Sequence, residues 1–275
     1  MSHWRKGKPR IAFISGGSSG LGFEIAKSIV TEGTSIAIFD LDSDDKYIAE
    51  LRKSCLRSEQ KIEHYCVDVT DPDALDLAME SAVRDTGVPD FALNSAGILR
   101  TALFTELSFE TFDHVIKVNL IGSRNFAAST LKHMKSGGHL ILVASLAGIV
   151  GSYTQAAYAA SKFGVIGLAE VLRAELKLQG IAVSVICPGE IDTPLLKYER
   201  KHGSPITEKL NSFAGVLSVE RAVSGIMKGL KKQQYMITPG FRAKLTRVLA
   251  RKTTRLFHWI VDNKLARACT KDIDH

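Results

Sequence analysis

An apolar run, Ile11-Ala12-Phe13-Ile14, opens into Ser15-Gly16-Gly17-Ser18-Ser19-Gly20-Leu21-Gly22 and then into helical spacing from Phe23 to Val30. This strand–turn–helix junction constrains the fold more than any other part of the chain. A strand without polar alternation belongs in a sheet covered on both faces. A glycine-rich turn between such a strand and a helix lets the backbone leave sharply and approach a pyrophosphate closely. The helix start then offers unpaired N–H groups and partial positive charge to the phosphates. Strand-like and helix-like stretches go on alternating as far as Ile237, which predicts one α/β domain with a parallel sheet.

Strands are expected at Ser35–Phe39, Ile62–Val67, Phe91–Asn94, His139–Ala144, Ile181–Ile186 and Tyr235–Ile237. Long helices are expected over Phe109–Met134 and Tyr158–Leu178, with a last one near Val219–Leu230. The 275 residues carry 45% hydrophobic side chains, ample for a sizeable core. Residues 1–240 read as the catalytic domain and 241–275 as an extension.

Several residues sit where a dinucleotide would lie. Asp40 ends the second strand about 20 residues beyond the glycine turn, where a carboxylate accepts from ribose hydroxyls and repels a 2′-phosphate. No basic residue follows it closely, so NAD(H) is favoured and NADP(H) is the alternative. Asp68-Val69, at the next strand end, is placed for the adenine amino group. Asn94-Ser95-Ala96-Gly97 lets the backbone pass close to the adenosine.

Asn119, Ser145, Tyr158 and Lys162 form the candidate catalytic set. A tyrosine titrates near pH ~10, too high for a base at neutral pH. A lysine one helical turn away favours the phenolate, which suits the pair to move a proton to or from an alcohol. Ser145, at a strand end, can hydrogen-bond the substrate oxygen, and Asn119 can hold a water linking Lys162 to solvent.

With these residues in place, the chain resembles the classical short-chain dehydrogenases/reductases over about residues 10 to 240. The family's T-G-x-x-x-G-x-G turn appears with Ser15 for threonine, bringing Gly16, Ser18, Ser19, Gly20, Leu21 and Gly22 to the cofactor. Its N-N-A-G segment appears as Asn94-Ser95-Ala96-Gly97. Asn119, Ser145, Tyr158 and Lys162 match its tetrad. Pro188-Gly189-Glu190-Ile191-Asp192-Thr193 matches its proline–glycine segment, in which the Ile191 backbone and Thr193 hold the nicotinamide carboxamide. The resemblance implies a seven-stranded, doubly wound Rossmann-type parallel sheet with helices on both faces. It also implies a homo-oligomer and hydride transfer between the nicotinamide and a carbinol or carbonyl carbon. Tyr158 would exchange the oxygen-bound proton, and Lys162 would bond the nicotinamide ribose.

The expected substrate lining is apolar: Ile149, Val150 and Tyr153 from the loop after Ser145, with Leu195 and Leu196 after Thr193. A small hydrophobic, lipid-like ketone fits better than a sugar or hydroxy acid. Asp192-Thr193-Pro194-Leu195-Leu196-Lys197-Tyr198-Glu199 resembles, more loosely, the 3-ketodihydrosphingosine reductase branch, which is usually NADPH-linked, in tension with Asp40. A hydroxysteroid or retinol dehydrogenase is the alternative enzyme. A dinucleotide-binding scaffold or regulator is the alternative of another class.

The net charge of +7 belongs to the ends. Arg5, Lys6, Lys8 and Arg10 open the chain. Residues 242–271 hold nine basic side chains against Asp262 alone, leaving the span between slightly acidic. In that extension Leu245, Val248, Leu249, Leu256, Trp259 and Ile260 recur at roughly helical spacing. Too interrupted by charge to span a bilayer, a basic amphipathic helix of this kind points to an anionic membrane surface. Packing on its own domain or on a second subunit is the alternative. Nucleic acid is not expected, for want of a recognition motif. Cys55, Cys66, Cys187 and Cys269 have neither metal-ligand spacing nor an obvious disulfide framework, and the amino terminus has no apolar signal-peptide core. A cytoplasmic protein, peripheral on the membrane's cytoplasmic face, is the expectation.

Overall fold

The computed structural model describes residues 4–41, 45–212 and 215–271, with the side chains of Asp45 and of 267–271 left out. Met1–His3, Asp272 and Asp274 and the side chains of Arg267, Cys269 and Lys271 lie outside the described residues.

Seven strands form one parallel sheet in the order β3-β2-β1-β4-β5-β6-β7. They are β1 (Ile11–Ser15), β2 (Ser35–Asp40), β3 (Ile62–Cys66), β4 (Phe91–Asn94), β5 (His139–Val143), β6 (Ala182–Ile186) and β7 (Met236–Ile237). The central strands are apolar on both sides because helices cover both faces. On one face α1 (Gly20–Val30), α2 (Asp45–Lys53) and α9 (Val219–Lys231) pack Phe23, Ile29, Ile48 and Ile226 against Ile14, Ile36 and Ile38. On the other, α3 (Pro72–Thr86), α5 (Gly122–Leu131) and α6 (Ala156–Lys177) pack Leu75, Met79, Phe126 and Val165 against Phe13, Phe39 and Leu142. Each of these large side chains contributes about 1.5–3 kcal/mol by leaving water.

The sequence reading passes over α2 and α3, whose outer faces are polar. The start of α3 is nevertheless written locally: the Asp71 carboxylate accepts from the Asp73 and Ala74 N–H groups at 3.1 and 3.0 Å, and Pro72 follows it. The long helix expected over Phe109–Met134 is α4 (Phe109–Ile116) and α5 joined by a π-helical turn at Lys117–Ile121, and it ends at Leu131. Here α6 presses close, for a Cβ on Gly164 would meet Leu120 at 2.7 Å; π-bulges of this kind are frequent at functional sites.

Two regions leave the sheet. Between β6 and α9 the chain makes an excursion through α7 (Pro194–His202) and α8 (Pro205–Asn211). It is tied at its base by a bridge between Ile191 and Leu217: Asp192 N–H donates to the Leu217 carbonyl at 3.1 Å, and Leu217 N–H to the Glu190 carbonyl at 2.9 Å. After β7 the extension forms α10 (Phe241–Lys252) and α11 (Thr254–Lys271), broken at Thr253. Ala243 and Thr246 of α10 are buried.

One core residue gives the fold an acid sensitivity. His139 is buried on β5, with Nε2 2.8 Å from Ser184 Oγ. The Ser184 hydroxyl donates to the Gln234 carbonyl at 2.6 Å, so the imidazole must be the donor in the other bond. Burial drives its pKa down to about 3, and the folded ring stays neutral where the unfolded one, near 6.5, takes a proton. Stability is therefore lost as pH falls below 6.5, by about 1 kcal/mol per pH unit down to about 3. Urea unfolding at pH 6 and pH 4 should show a steeper loss in the wild type than in His139→Gln.

Candidate active site

The strand order reverses between β1 and β4, and a cavity of about 700 Å³ opens at the carboxyl ends of the strands around that point. Gly16, Ser19, Gly20, Leu21, Asp40, Asp68 and Val69 line one end of it, with Ala96 and Gly97. Gly16 has φ +65°, and a Cβ there would meet Ala96 N at 2.5 Å; a Cβ on Gly22 would overlap the Gly16 carbonyl oxygen. The backbone has no room for side chains at either position. Ser19 precedes α1 without its side chain capping any N–H, and the Ser18 hydroxyl is buried without a partner among the described residues. Open helix N–H groups beside a glycine cradle fit a dinucleotide pyrophosphate. Asp40 closes this end, its Oδ2 accepting from Ser18 N–H at 3.1 Å and its Oδ1 from Leu41 N–H at 3.0 Å. Asp68 accepts from Thr70 N–H at 2.8 Å.

Ser15, Ser18, Gly22 and Asn94 do not line the cavity. Ser15 Oγ donates to Asn94 Oδ1 at 2.5 Å, Asn94 Nδ2 to Ser123 Oγ at 2.7 Å, and Ser123 Oγ to the Asn119 carbonyl at 2.5 Å. This buried chain braces β1 and β4 against the π-helical turn, so Ser15 and Asn94 hold the floor of the site rather than its surface.

Ser145, Tyr158 and Lys162 stand at the centre of the cavity. Ser145 leaves β5 and starts a 3-10 turn over Leu146–Gly148, its Oγ accepting from Ala147 N–H at 3.1 Å. Its hydroxyl also hydrogen-bonds Tyr158. Lys162 Nζ donates to the Val143 carbonyl at 2.9 Å and lies 5.6 Å from the Tyr158 ring centroid. Burial pushes the Tyr158 phenol up to about 12, against the lowering effect of Ser145, and Glu199 adds to the rise. Burial takes Lys162 down to about 8. The Lys162 ammonium is held by the Val143 carbonyl, and burial is the largest influence on the Tyr158 phenol.

Asn119, on the π-helical turn, lies behind this centre and not on the cavity surface. Its Oδ1 accepts from Ile98 N–H at 2.8 Å, and its Nδ2 donates to the Ile98 carbonyl at 2.9 Å and to Ser161 Oγ at 3.0 Å. A Cβ on Gly97 would sit 3.1 Å from Asn119 Oδ1 and 3.3 Å from Lys162 Nζ, so this glycine lets the two approach the β4 loop.

At the other end the wall includes Pro188, Gly189, Ile191 and Thr193, then Leu195 and Leu196, with Val150 opposite. Ile149 and Tyr153 do not line it. The 3-10 turn carries Ile149 inward against the core, and the Tyr153 carbonyl accepts from Thr207 Oγ1 at 2.9 Å. Sequence reasoning missed Gln155 and Asn211 on this wall, and took Glu190 and Glu199 only as members of the 188–193 and 192–199 stretches. The spacing from Leu195 to Glu199, one helical turn, was a signal that both share a face. It also missed that Leu249 of α10 and Phe257, Ile260 and Val261 of α11 line the same cavity. The extension folds over the site.

Residues 10–203 match the family model described as short chain dehydrogenase. The chain belongs to the short-chain dehydrogenase family. It is an oxidoreductase of that family, and its seven-stranded parallel sheet is the fold that membership implies. A 3-oxoacyl-[acyl-carrier-protein] reductase of Thermotoga maritima is 33% identical over 188 residues, covering 68% of this chain and 76% of the relative. A 3-dehydrosphinganine reductase of Arabidopsis thaliana is 31% identical over 240 residues, covering 85% and 71%. The crystal structure of a 3-oxoacyl-[acyl-carrier protein] reductase from Brucella melitensis in complex with NAD shares the fold with a TM-score of 0.74 at 23% identity, covering 86% of this short-chain dehydrogenase and 98% of that chain.

Proposed function

We propose that this short-chain dehydrogenase is an NAD(H)-linked reductase of long-chain ketones, of the 3-dehydrosphinganine type. The observation that carries the reading is the shape of the cavity: the Tyr158 and Ser145 hydroxyls at its centre, and an apolar wall of Leu195, Leu196, Leu249, Phe257 and Val261 running away from them. A ketone near the polar end of an alkyl chain fits that division. The Arabidopsis relative supports it, and the Thermotoga relative supports a second reading, a 3-oxoacyl chain on a carrier.

When bound, the nicotinamide supplies the hydride. Ser145 orients the ketone oxygen, and Tyr158, protonated at neutral pH by its raised pKa, gives that oxygen its proton. Lys162, held by the Val143 carbonyl 5.6 Å from the Tyr158 ring centroid, would bond the nicotinamide ribose, and Asn119 fixes the Ile98 loop that follows Gly97. Gly16, Ser19, Gly20 and Leu21 would cradle the pyrophosphate, Asp40 would take the ribose hydroxyls, Asp68 and Val69 the adenine, and Ile191 and Thr193 the carboxamide.

The extension has two faces. Phe257 and Val261 line the cavity, while Leu256 and Trp259 are exposed among basic residues. This arrangement fits a helix lying between an anionic membrane surface and the substrate. No helix among the described residues is long and apolar enough to cross a membrane. Self-association is supported by exposed Phe163, Gly167 and Val171, spaced four residues apart on α6, with exposed Ile121 on the π-helical turn that packs against α6.

A panel of ketones differing in chain length, assayed with NADH and NADPH, tests the reading. Long-chain 3-ketones should have the highest kcat/KM, and NADH should exceed NADPH. Asp40→Ala should narrow the cofactor ratio by about tenfold, equivalent to ~1.4 kcal/mol of lost discrimination. A strong wild-type preference for NADPH, or turnover confined to short polar ketones, would overturn it.

A further inference from the structure

The cavity carries two carboxylates for which proton transfer by Tyr158 has no use. Glu190 follows Pro188-Gly189 after β6, and Glu199 lies on α7, one turn beyond Leu195; both line the cavity. Their hydrogen-bond partners are neutral: Gln155 Nε2 donates to Glu199 Oε1 at 2.6 Å, and Asn211 bonds Glu190. Among the described residues neither has a lysine, arginine or histidine nitrogen within 4 Å. Arg200 acts on both from an exposed position, and Glu208 adds negative charge near Glu190. Arg100, a guanidinium on the cavity wall, is occupied, donating to the Leu99 carbonyl at 2.8 Å and lying 5.1 Å from the Tyr198 ring centroid.

Carboxylates taken from water without a counter-ion are costly. Burial, then repulsion from Glu190, pushes Glu199 up to about 7, and burial raises Glu190 as well. An ionised Glu199 also opposes the Tyr158 phenolate. Both costs are offset when a ligand brings the positive charge. A ligand belongs here on separate grounds, because the Tyr158 and Ser145 hydroxyls open into the same cavity.

We propose that Glu199, with Glu190 as its neighbour, is the receptor for the protonated primary amine that a substrate of this type carries beside its ketone. This rests on the long-chain ketone reading above. The amine neutralises the carboxylate beside Tyr158, while the apolar wall from Leu195 onward takes the alkyl chain.

Calorimetric titration of the intact protein with octylamine and with 1-octanol, at pH 8, tests the receptor without turnover. The wild type should bind the amine at least about tenfold tighter than the alcohol, as a charge-assisted bond implies. Glu199→Gln keeps the shape and the polar contact to Gln155; it should reduce that ratio to about twofold and leave octanol binding unchanged. Glu190→Gln should reduce it less. An amine bound no tighter than the alcohol, or a preference that survives both substitutions, would overturn the proposal. Turnover separates it from the reading beneath it: if the wild type reduces 3-ketododecane but shows no amine preference, only the receptor falls. If the amine preference holds and neither 3-ketododecane nor its 2-amino derivative is reduced, the reductase reading falls and the receptor stands.

Discussion

Replacing Tyr158 by phenylalanine is expected to lower kcat/KM for every ketone by about 10³-fold, while dinucleotide affinity stays within about twofold. The ring is 7% exposed, and phenylalanine fills the same space against Leu99, Val115 and Ala157. What is lost is the phenol hydroxyl and its bond with Ser145. Because the deficit lies in a step and not in binding, it should appear in kcat. Steady-state kinetics beside fluorescence titration with NADH would separate the two. Near-normal turnover would remove Tyr158 from the mechanism and favour a dinucleotide-binding scaffold.

Removing the extension after Gly240 is expected to cost on the order of a hundredfold in kcat/KM for a long-chain ketone and far less for a small soluble one. Leu249, Phe257, Ile260 and Val261 leave the cavity wall together. If each contributes about 0.5–1 kcal/mol of the burial available to a side chain, the loss falls in that range. Phe257→Ala with Val261→Ala in the full-length chain should move the same way by about tenfold, without exposing what α10 covers. Intact protein should also sediment with anionic vesicles and come off as salt rises, since screening shortens to about 8 Å at physiological ionic strength. Equal kcat/KM for the long-chain ketone with and without the extension would assign it to another role.

Much of the fold was legible because its determinants are local. Ile11–Ile14 announces a strand covered on both faces, and the glycines after it leave few alternatives to a sharp turn into a helix. Ser145, Tyr158 and Lys162, with Asp40 and Asp68, followed from strand ends and one helical spacing, whereas the roles of Ile191 and Thr193 rest on the family resemblance. What escaped depends on direction and distance. Ile149 reads as pocket lining until a 3-10 turn carries it into the core. Ser15 and Asn94 read as cofactor contacts, yet Ser15 Oγ donates to the Asn94 amide oxygen and the Asn94 amide nitrogen donates to Ser123. An i, i+4 spacing put Lys162 beside Tyr158, but not the Val143 carbonyl that holds its ammonium. That the extension would return over the site, tens of residues after Tyr158, is a long-range contact with no local signature.

The bridge between Ile191 and Leu217 has a consequence for how such a chain diversifies. It pins the two ends of residues 192–216 together at the rim of the sheet. The entropy of closing a chain segment grows only slowly with its length, by about 0.6 kcal/mol per doubling. Insertions and replacements between the pinned ends therefore burden the rest of the molecule little, although they redraw the wall that contains Leu195, Leu196 and Glu199. The family match stops at residue 203, inside this segment. The clasp makes it an exchangeable cassette, through which descendants of this chain can take up new substrates while inheriting an unaltered sheet.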